Sequence, residues 1–541
     1  MPIYRKIPLL TAAVFFLLLT HSAPGGENYP PGADNGTAYG DAIIVASSGD
    51  ARTLVPILAS DSTSSDICGK VFNGLVKYDK NVNIVGSLAE KWDIEDEGKI
   101  IIFYLKKGVF WHDGAPFTAR DVEFTYKKLI DPSVKTPYSG DFERIKDFVV
   151  IDDHTIKIEY KEPFAPALSS WGMWIMPKHI LEKEDLNKTK FSRAPIGTGP
   201  YKFKIWKTGE KIELVSNHSY FEGRPYIDRY IVRIIPDEAT TFLELQTQGV
   251  DMSHLTPLQY IRQTDNNFFK DHYNKFKYPS FGFTYMGYNL SEPKFQDIRV
   301  RRAINYAVNK KEMIDTIYFG LARVITGPFI PDAWAYNRDV KSPEYDPARA
   351  RVLLKEAGWV DSDGDGLVEK DGNIFEFTVL VNQGNAERLR CAELMQGYLK
   401  DAGILMKIRV LEWSSMINEF IIKKRFEAVL MGWFLSQDPD CYDIWHSSKT
   451  REGEFNFIGY KNERVDKLLE EGRRTFNQAK RAEIYHEIHR LIYEDQPYLF
   501  LFSSDTLPIV NSRFKNVESS PIGIGYNFIE WYVPKSEQRY R

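Results

Sequence analysis

Residues 431–447, MGWFLSQDPDCYDIWHS, place Trp433, Ser436, Asp438, Asp440 and Trp445 in one short stretch. Pro439 fixes its own φ and biases the residue before it away from helix, so Asp438-Pro439-Asp440 is a loop. Apolar walls beside a fixed negative charge can hold a polar ligand that carries a cation. The same residues can equally make an acidic turn with a tryptophan plugging the core beneath it, and each tryptophan suits core or pocket. Two carboxylates could also serve a hydrolase as paired acids, but a two-residue spacing within one turn does not let them flank a scissile bond. A second polar cluster, Ser60, Asp61, Ser62 and Thr63, sits in LASDSTSSD (58–66), just after the first strand-like segment.

Other chemistry is poorly supported. No G-x-S-x-G elbow and no Walker loop occur. IGTGPYKF has Gly197 and Gly199, but Pro200 and the lack of a third glycine leave a tight turn rather than a dinucleotide fingerprint. His486 and His489 are three apart, not the one-turn H-E-x-x-H spacing that zinc needs, and read as helix surface. DSDGDGLVEKDG (361–372) sets Asp361, Asp363 and Asp365 where the first three calcium ligands of a loop would be. Its twelfth position is Gly372 instead of a bidentate glutamate, so an acidic glycine-rich turn stands beside a weak calcium site. Cys68, Cys391 and Cys441 allow one bridge at most, Cys391–Cys441 among the options, and offer no zinc spacing. We expect no cofactor.

The elements that must position these residues come from a long chain. With 541 residues, two or three domains are expected. A net charge of −4 and a pI near 6.3 give no basic stripe for nucleic acid. Arg5 and Lys6, an apolar run and then HSAPGG have the form of a secretory signal peptide over 1–23, cleaved near Ser22 or Ala23. A flexible leader follows over 24–39. The first cysteine is Cys68, so no lipid-anchor cysteine stands at the signal's exit. Strand and helix patterns then mix: DAIIVASS as a strand, a hairpin through KIIIFYLKKGVFWHDG, a helix opening at Thr118, a hairpin around Asp152-Asp153. IRVRRAINYAVNKKEMIDTIY reads as one long helix, and FEFTVLVNQ, AERLRCAELMQGYLKDAG and LMKIRVLEW as a βαβ unit. The class is α/β, in several lobes.

Several segments together resemble the family 5 extracellular solute-binding proteins, the peptide-, oligopeptide- and nickel-type binding components of ABC importers. They are VFNGLVKYD with VGSLAEKW, FYLKKGVFWHDGAPFTARDVEFTYKKLID, IGTGPYKFKIW, YFEGRPYIDRYIVRIIPD, VRRAINYAVNKKEMI, YDPARARVLLKEAGW and the loop at 431–447. The resemblance implies a two-lobed periplasmic-binding-protein clamshell (type II, cluster C-like) with an extra domain on the first lobe. Lobe I would be 40–72, 197–288 and 508–541, the extra domain 73–196 and lobe II 289–507, with hinge crossings near 197 and 288. It implies a periplasmic, monomeric binding protein without catalysis: an oligopeptide ligand, or a nickel chelate or oligosaccharide, passed to an inner-membrane ABC permease.

Two departures from the family pattern shape the expected site. Peptide binders carry an aspartate three residues after the GW tryptophan, to grip the ligand ammonium; here that position is Ser436, so Asp438 is ranked above it as the anchor. Dipeptide binders carry an arginine ten residues before AExxQ; here that position is Asn382, so nothing fixes a two-residue ligand and longer peptides are favoured. Arg388 and Arg390 are read as solvated helix arginines. Ser60, Asp61, Ser62 and Thr63 would run alongside the ligand backbone, and Trp433 and Trp445 would give apolar walls.

Overall fold

The computed structural model describes residues 38–540, so the signal sequence and most of the leader lie outside the described residues. Two seven-stranded sheets form its frame. The first runs in the order Tyr273–Lys275, Pro508–Asn511, Met252–His254, Ala42–Ser47, Arg229–Ile234, Lys211–Ser216, Tyr201–Lys207. The second runs Tyr278–Pro279, Tyr498–Thr506, Gly282–Tyr288, Ala428–Phe434, Glu376–Asn382, Leu405–Leu411, with Ala322–Val324 paired beside Tyr498–Thr506. A separate four-stranded sheet, Ala89–Glu95, Ile100–Leu105, Thr155–Tyr160, Ile145–Asp152, belongs to a further domain.

Local sequence explains many of these elements. DAIIVASS becomes the buried strand Ala42–Ser47, parallel to Arg229–Ile234. The expected βαβ unit forms, with Glu376–Asn382 and Leu405–Leu411 in parallel register around the helix Ala386–Asp401. Thr118 and Asp121 cap each other's backbone at the start of the helix Ala119–Leu129. The long helix expected over 298–318 is two. Val308 is extended, and the Asn309 side chain accepts from Glu312 N at 3.1 Å, ending Ile298–Ala307 and starting Lys310–Ile317. The hairpin expected through 100–114 also differs. Ile100–Leu105 pairs with Ala89–Glu95 and Thr155–Tyr160, while His112-Asp113-Gly114 closes only a tight turn from Trp111 to Ala115.

The extra domain and the first sheet share one apolar core, in which Ile43 and Trp531 join Phe103 and Trp171. IGTGP marks their seam. A Cβ at Gly197 would lie 1.8 Å from Val71 O, so only glycine lets this strand pass. Gly199 N donates to Val71 O at 2.8 Å and His112 N to Gly197 O at 2.9 Å. Burial lowers the His112 imidazole to about 4, so it accepts from Gly197 N as a neutral ring.

The chain passes between the two large sheets at 276–277 and at 507, not near 197 and 288. Gly282–Tyr288 lies in the second sheet, paired with Ala428–Phe434 and Tyr498–Thr506. The two crossings run antiparallel: Lys275 pairs with Ile509, Phe276 N donates to Pro508 O at 2.9 Å, and Tyr278 pairs with Thr506. Two strand-paired crossings of one or two residues suit a hinge, since few dihedrals absorb the motion.

Candidate ligand-binding cleft

Two chambers open between the lobes, of about 1600 Å³ and about 640 Å³. Both are lined from the first lobe by Ser62 and Thr63 and from the second by Arg388, Gly432, Trp433 and Phe434. These residues form a neck between one space and the next.

The serine-rich segment faces the larger chamber, all four of Ser60, Asp61, Ser62 and Thr63 lining it. Asp61 caps the helix Ser62–Val71, accepting from Ser64 N at 2.9 Å through Oδ1. Thr63 Oγ1 donates to Gly49 O at 3.0 Å, and Ser60 and Ser62 are exposed.

The two tryptophans part company. Trp433 is half-buried on the cleft wall, parallel to Tyr285 at 6.3 Å, with Nε1 donating to Tyr498 OH at 3.3 Å. Phe434 beside it is 87% exposed, an apolar ring left open at the neck. Trp445 is fully buried among Tyr460, Tyr498 and Phe500 and lines neither chamber: it is core, not pocket. Trp174 and Trp413 line the same chamber, so Trp433→Phe is expected to reduce any ligand-induced change in tryptophan emission, whereas Trp445→Phe leaves it intact. Ligand titration of both variants measures this.

The acidic loop is already engaged. Asp438 accepts from Arg481 twice, Nη1 to Oδ2 and Nη2 to Oδ1, each at 2.7 Å. Asp440 accepts from Arg473 Nε at 2.7 Å through Oδ2 and from Tyr442 N at 3.2 Å through Oδ1. Ser436 Oγ donates to Asp438 O at 2.5 Å. The expected first choice of ammonium anchor, Asp438, thus has both oxygens taken, and the loop is stapled to the helices Glu463–Arg474 and Gln478–Asp495. Burial opposes the charge on Asp440, yet Arg473 holds its carboxyl below the usual range.

A carboxylate that sequence reasoning missed stands opposite. Asp141, on the extra domain, lines the larger chamber, accepts from Ser170 Oγ at 2.6 Å and faces Arg473 at 3.8 Å. Burial raises its carboxyl to about 6; Arg473 and Ser170 pull the other way, and Asp440 and Asp443 add to the rise. The folded state thus holds this proton more tightly than the unfolded chain. Stability contributed here falls as pH rises from about 4 through 6. Asp141→Asn is expected to flatten that slope and to stabilise the ligand-free protein above pH 6, as read by urea unfolding across pH.

The extra domain also touches the second lobe here: Ala165 N donates to Arg473 O at 2.7 Å and Arg474 Nε to Glu162 at 2.6 Å.

Asn382 lies at the end of its strand and lines neither chamber; its Oδ1 accepts from Arg388 Nη1 at 2.5 Å, and Arg388 lines both. Arg388 is not a solvated helix arginine. It is partly buried, lines both chambers, and desolvation holds its guanidinium below the usual range. Arg390 is exposed, as expected.

The remaining candidates resolve simply. Cys68, Cys391 and Cys441 are buried free thiols, so neither Cys391 nor Cys441 is bridged. His489 is fully buried, bonded to Thr326 Oγ1 at 2.9 Å and lowered to about 3 by burial, while His486 Nε2 lies 3.1 Å from Trp334 O. The pair packs on the 326–337 segment instead of lying on open helix surface. In the acidic turn, Asp361 and Asp363 converge with Glu369, which the calcium pattern did not include. Asp365 accepts from Leu367 N at 2.8 Å and is not part of that group. All three loop aspartates are exposed and hold backbone N–H groups of the turn.

Two lobes joined by a paired crossing, with chambers lined from both, define a ligand-binding protein that closes around its solute. The chain belongs to the bacterial extracellular solute-binding proteins, family 5, whose middle region matches residues 83–454. It is 33% identical over 541 residues to the oligopeptide-binding protein AppA of Bacillus subtilis, covering 97% of this chain and 98% of that one. The structure of that AppA in complex with a nonapeptide superposes with a TM-score of 0.84, at 32% identity, over 92% of this chain and 100% of the other. NikZ of Campylobacter jejuni in complex with Ni(L-His) gives 0.83 at 29% identity, over 91% and 99%. DppA of Helicobacter pylori in complex with the peptide STSA gives 0.82 at 27%, over 92% and 99%.

Proposed function

We propose that this protein captures oligopeptides between its lobes and delivers them to an ABC permease in the inner membrane, altering no covalent bond. The observation that carries the reading is the size of the cleft. The larger chamber alone, about 1600 Å³, exceeds the roughly 300–1,000 Å³ that suffices for a drug-sized ligand, and a second chamber continues beyond the neck. A metal–amino-acid chelate would leave most of that space empty, and no histidine or cysteine lines the larger chamber among the described residues. The likeness to AppA, solved with a nonapeptide, supports the same ligand class. The protein works as a monomer in the periplasm, exported by the signal sequence at 1–23.

In this reading the lobes are 40–72 with 197–275 and 508–540, and 278–506, the extra domain at 73–196 riding on the first. Ser62 and Thr63 flank the peptide backbone, and Trp433 and Phe434 supply apolar contact at little conformational cost. Mass spectrometry of material eluted from the purified protein tests it. Peptides of several residues are expected; a metal chelate or a sugar eluted instead would overturn it.

A further inference from the structure

The extra domain shares its apolar core with the first sheet, and no buried residue of 278–506 belongs to that core among the described residues. Its contact with the second lobe is thin and made of separable parts. Between the helices Glu463–Arg474 and Gln478–Asp495, Phe476 lies across the turn that joins the strands Ala89–Glu95 and Ile100–Leu105. Gly98 has a φ of +93° in that turn, and a Cβ on it would run into the Phe476 ring. A hole that only glycine leaves open thus receives a ring from the other lobe. Two residues earlier, Arg474 Nε donates to Glu162 Oε2 at 2.6 Å, and Glu162 Oε1 accepts from Arg144 Nη1 at 3.2 Å. Arg144 in turn lies 5.6 Å over the ring of Tyr442 on the second lobe. None of Gly98, Arg144, Glu162, Arg474 and Phe476 lines either chamber, so these contacts do not depend on which solute is bound. When the lobes swing about 276–277 and 507, the extra domain moves with the first lobe and every one of these contacts must part.

We propose that the Phe476 ring on Gly98, with the Arg474–Glu162–Arg144 chain beside it in sequence, is a latch by which the extra domain holds the two lobes shut, with or without solute. The proposal rests on lobe closure and not on the ligand being a peptide. The latch favours the closed form through its own contacts, so part of the ligand-free protein is shut and a bound solute leaves more slowly. Its parts are individually modest: the Arg474 side chain is 50% exposed, and solvent screens such a pair. A weak latch suits a carrier that has to reopen to release its load.

Arg474→Gln combined with Phe476→Ala removes both parts, and Phe476 belongs to neither buried core of the second lobe, so the fold is kept. Glu162→Gln breaks the same ion pair from the extra domain's side, and Glu471→Gln, exposed on the same helix as Arg474, is the control. Small-angle X-ray scattering of the ligand-free proteins is expected to give a larger radius of gyration for the double variant than for wild type. Glu162→Gln should fall between them and Glu471→Gln should match wild type. Dissociation of a labelled, randomised nonapeptide pool is expected to be about fivefold faster from the double variant, with the same amount bound at saturation. Equal radii for ligand-free wild type and double variant, or an unchanged dissociation rate, would overturn the latch. If wild type retains no nonapeptide, the peptide reading fails, and the scattering comparison still decides the latch.

Discussion

Arg481→Met lowers the unfolding free energy of the second lobe by about 3–5 kcal/mol, the cost of leaving a buried carboxylate without its partner. Arg481 and Asp438 are both largely shielded from solvent and share two hydrogen bonds at 2.7 Å. Asp438→Asn breaks the same pair from the other side and is expected to cost a similar amount, with Arg481 stranded beside Tyr485. Replacing both, as Asp438→Asn with Arg481→Met, removes the two buried charges along with their attraction, so the double variant should recover most of the loss. Urea titration of the four proteins measures the cycle. An Asp438→Asn protein that keeps its full stability but no longer binds any ligand would show that this aspartate serves the ligand instead of the loop.

The second large effect lies at the far end of the first lobe. Arg513 is buried and pairs with Asp41 and, at 2.7 Å, with Asp251, while its Nη2 donates to Ala42 O at 2.9 Å. Asp41 in turn accepts from Tyr540 N at 2.8 Å, and Asp251 accepts from Ile44 N at 2.9 Å. One guanidinium thus ties the first strand, the strand near 252 and the C-terminal tail. Arg513→Met leaves two buried carboxylates facing each other and is expected to cost about 3–5 kcal/mol. Burial already raises the Asp251 carboxyl despite the arginine. Without it the folded state binds still more protons than the unfolded one, so the deficit grows as pH rises. Limited proteolysis should then release fragments cut within 512–540, which the native protein protects.

Local pattern made much of the fold legible. Thr118, the βαβ unit from 376 to 411 and the buried strand at 42 all follow from capping residues and periodicity. The crossings were not legible. No residue pattern in YNKFKY separates Lys275 from Tyr278, and only their partners, Ile509 for Lys275 and Thr506 for Tyr278, assign them to different sheets.

The site divides in the same way. The sequence brought Trp433, Ser62 and Thr63 to the cleft, but residue type cannot tell Trp433 from Trp445. The fate of Asp438 depends on an arginine 43 residues later. A signal for that did exist: Arg481 falls on the same helical stripe as Tyr485, Ile488 and Ile492, and a charge set in an apolar stripe needs a buried counter-charge. Arg388 gave a fainter one, a cation in a first turn that favours acids.

The placing of Pro508–Asn511 inside the first sheet, between Tyr273–Lys275 and Met252–His254, dictates an order of events. That sheet stays incomplete until almost the whole chain has been synthesised, whereas residues 278–506 leave and return at neighbouring points and contain their own sheet. Tyr498–Thr506, inside the second sheet, is itself made only just before Pro508–Asn511, so both sheets wait for the last part of the chain. A chain ending at 506 would then hold every strand of the second sheet and lack one of the first.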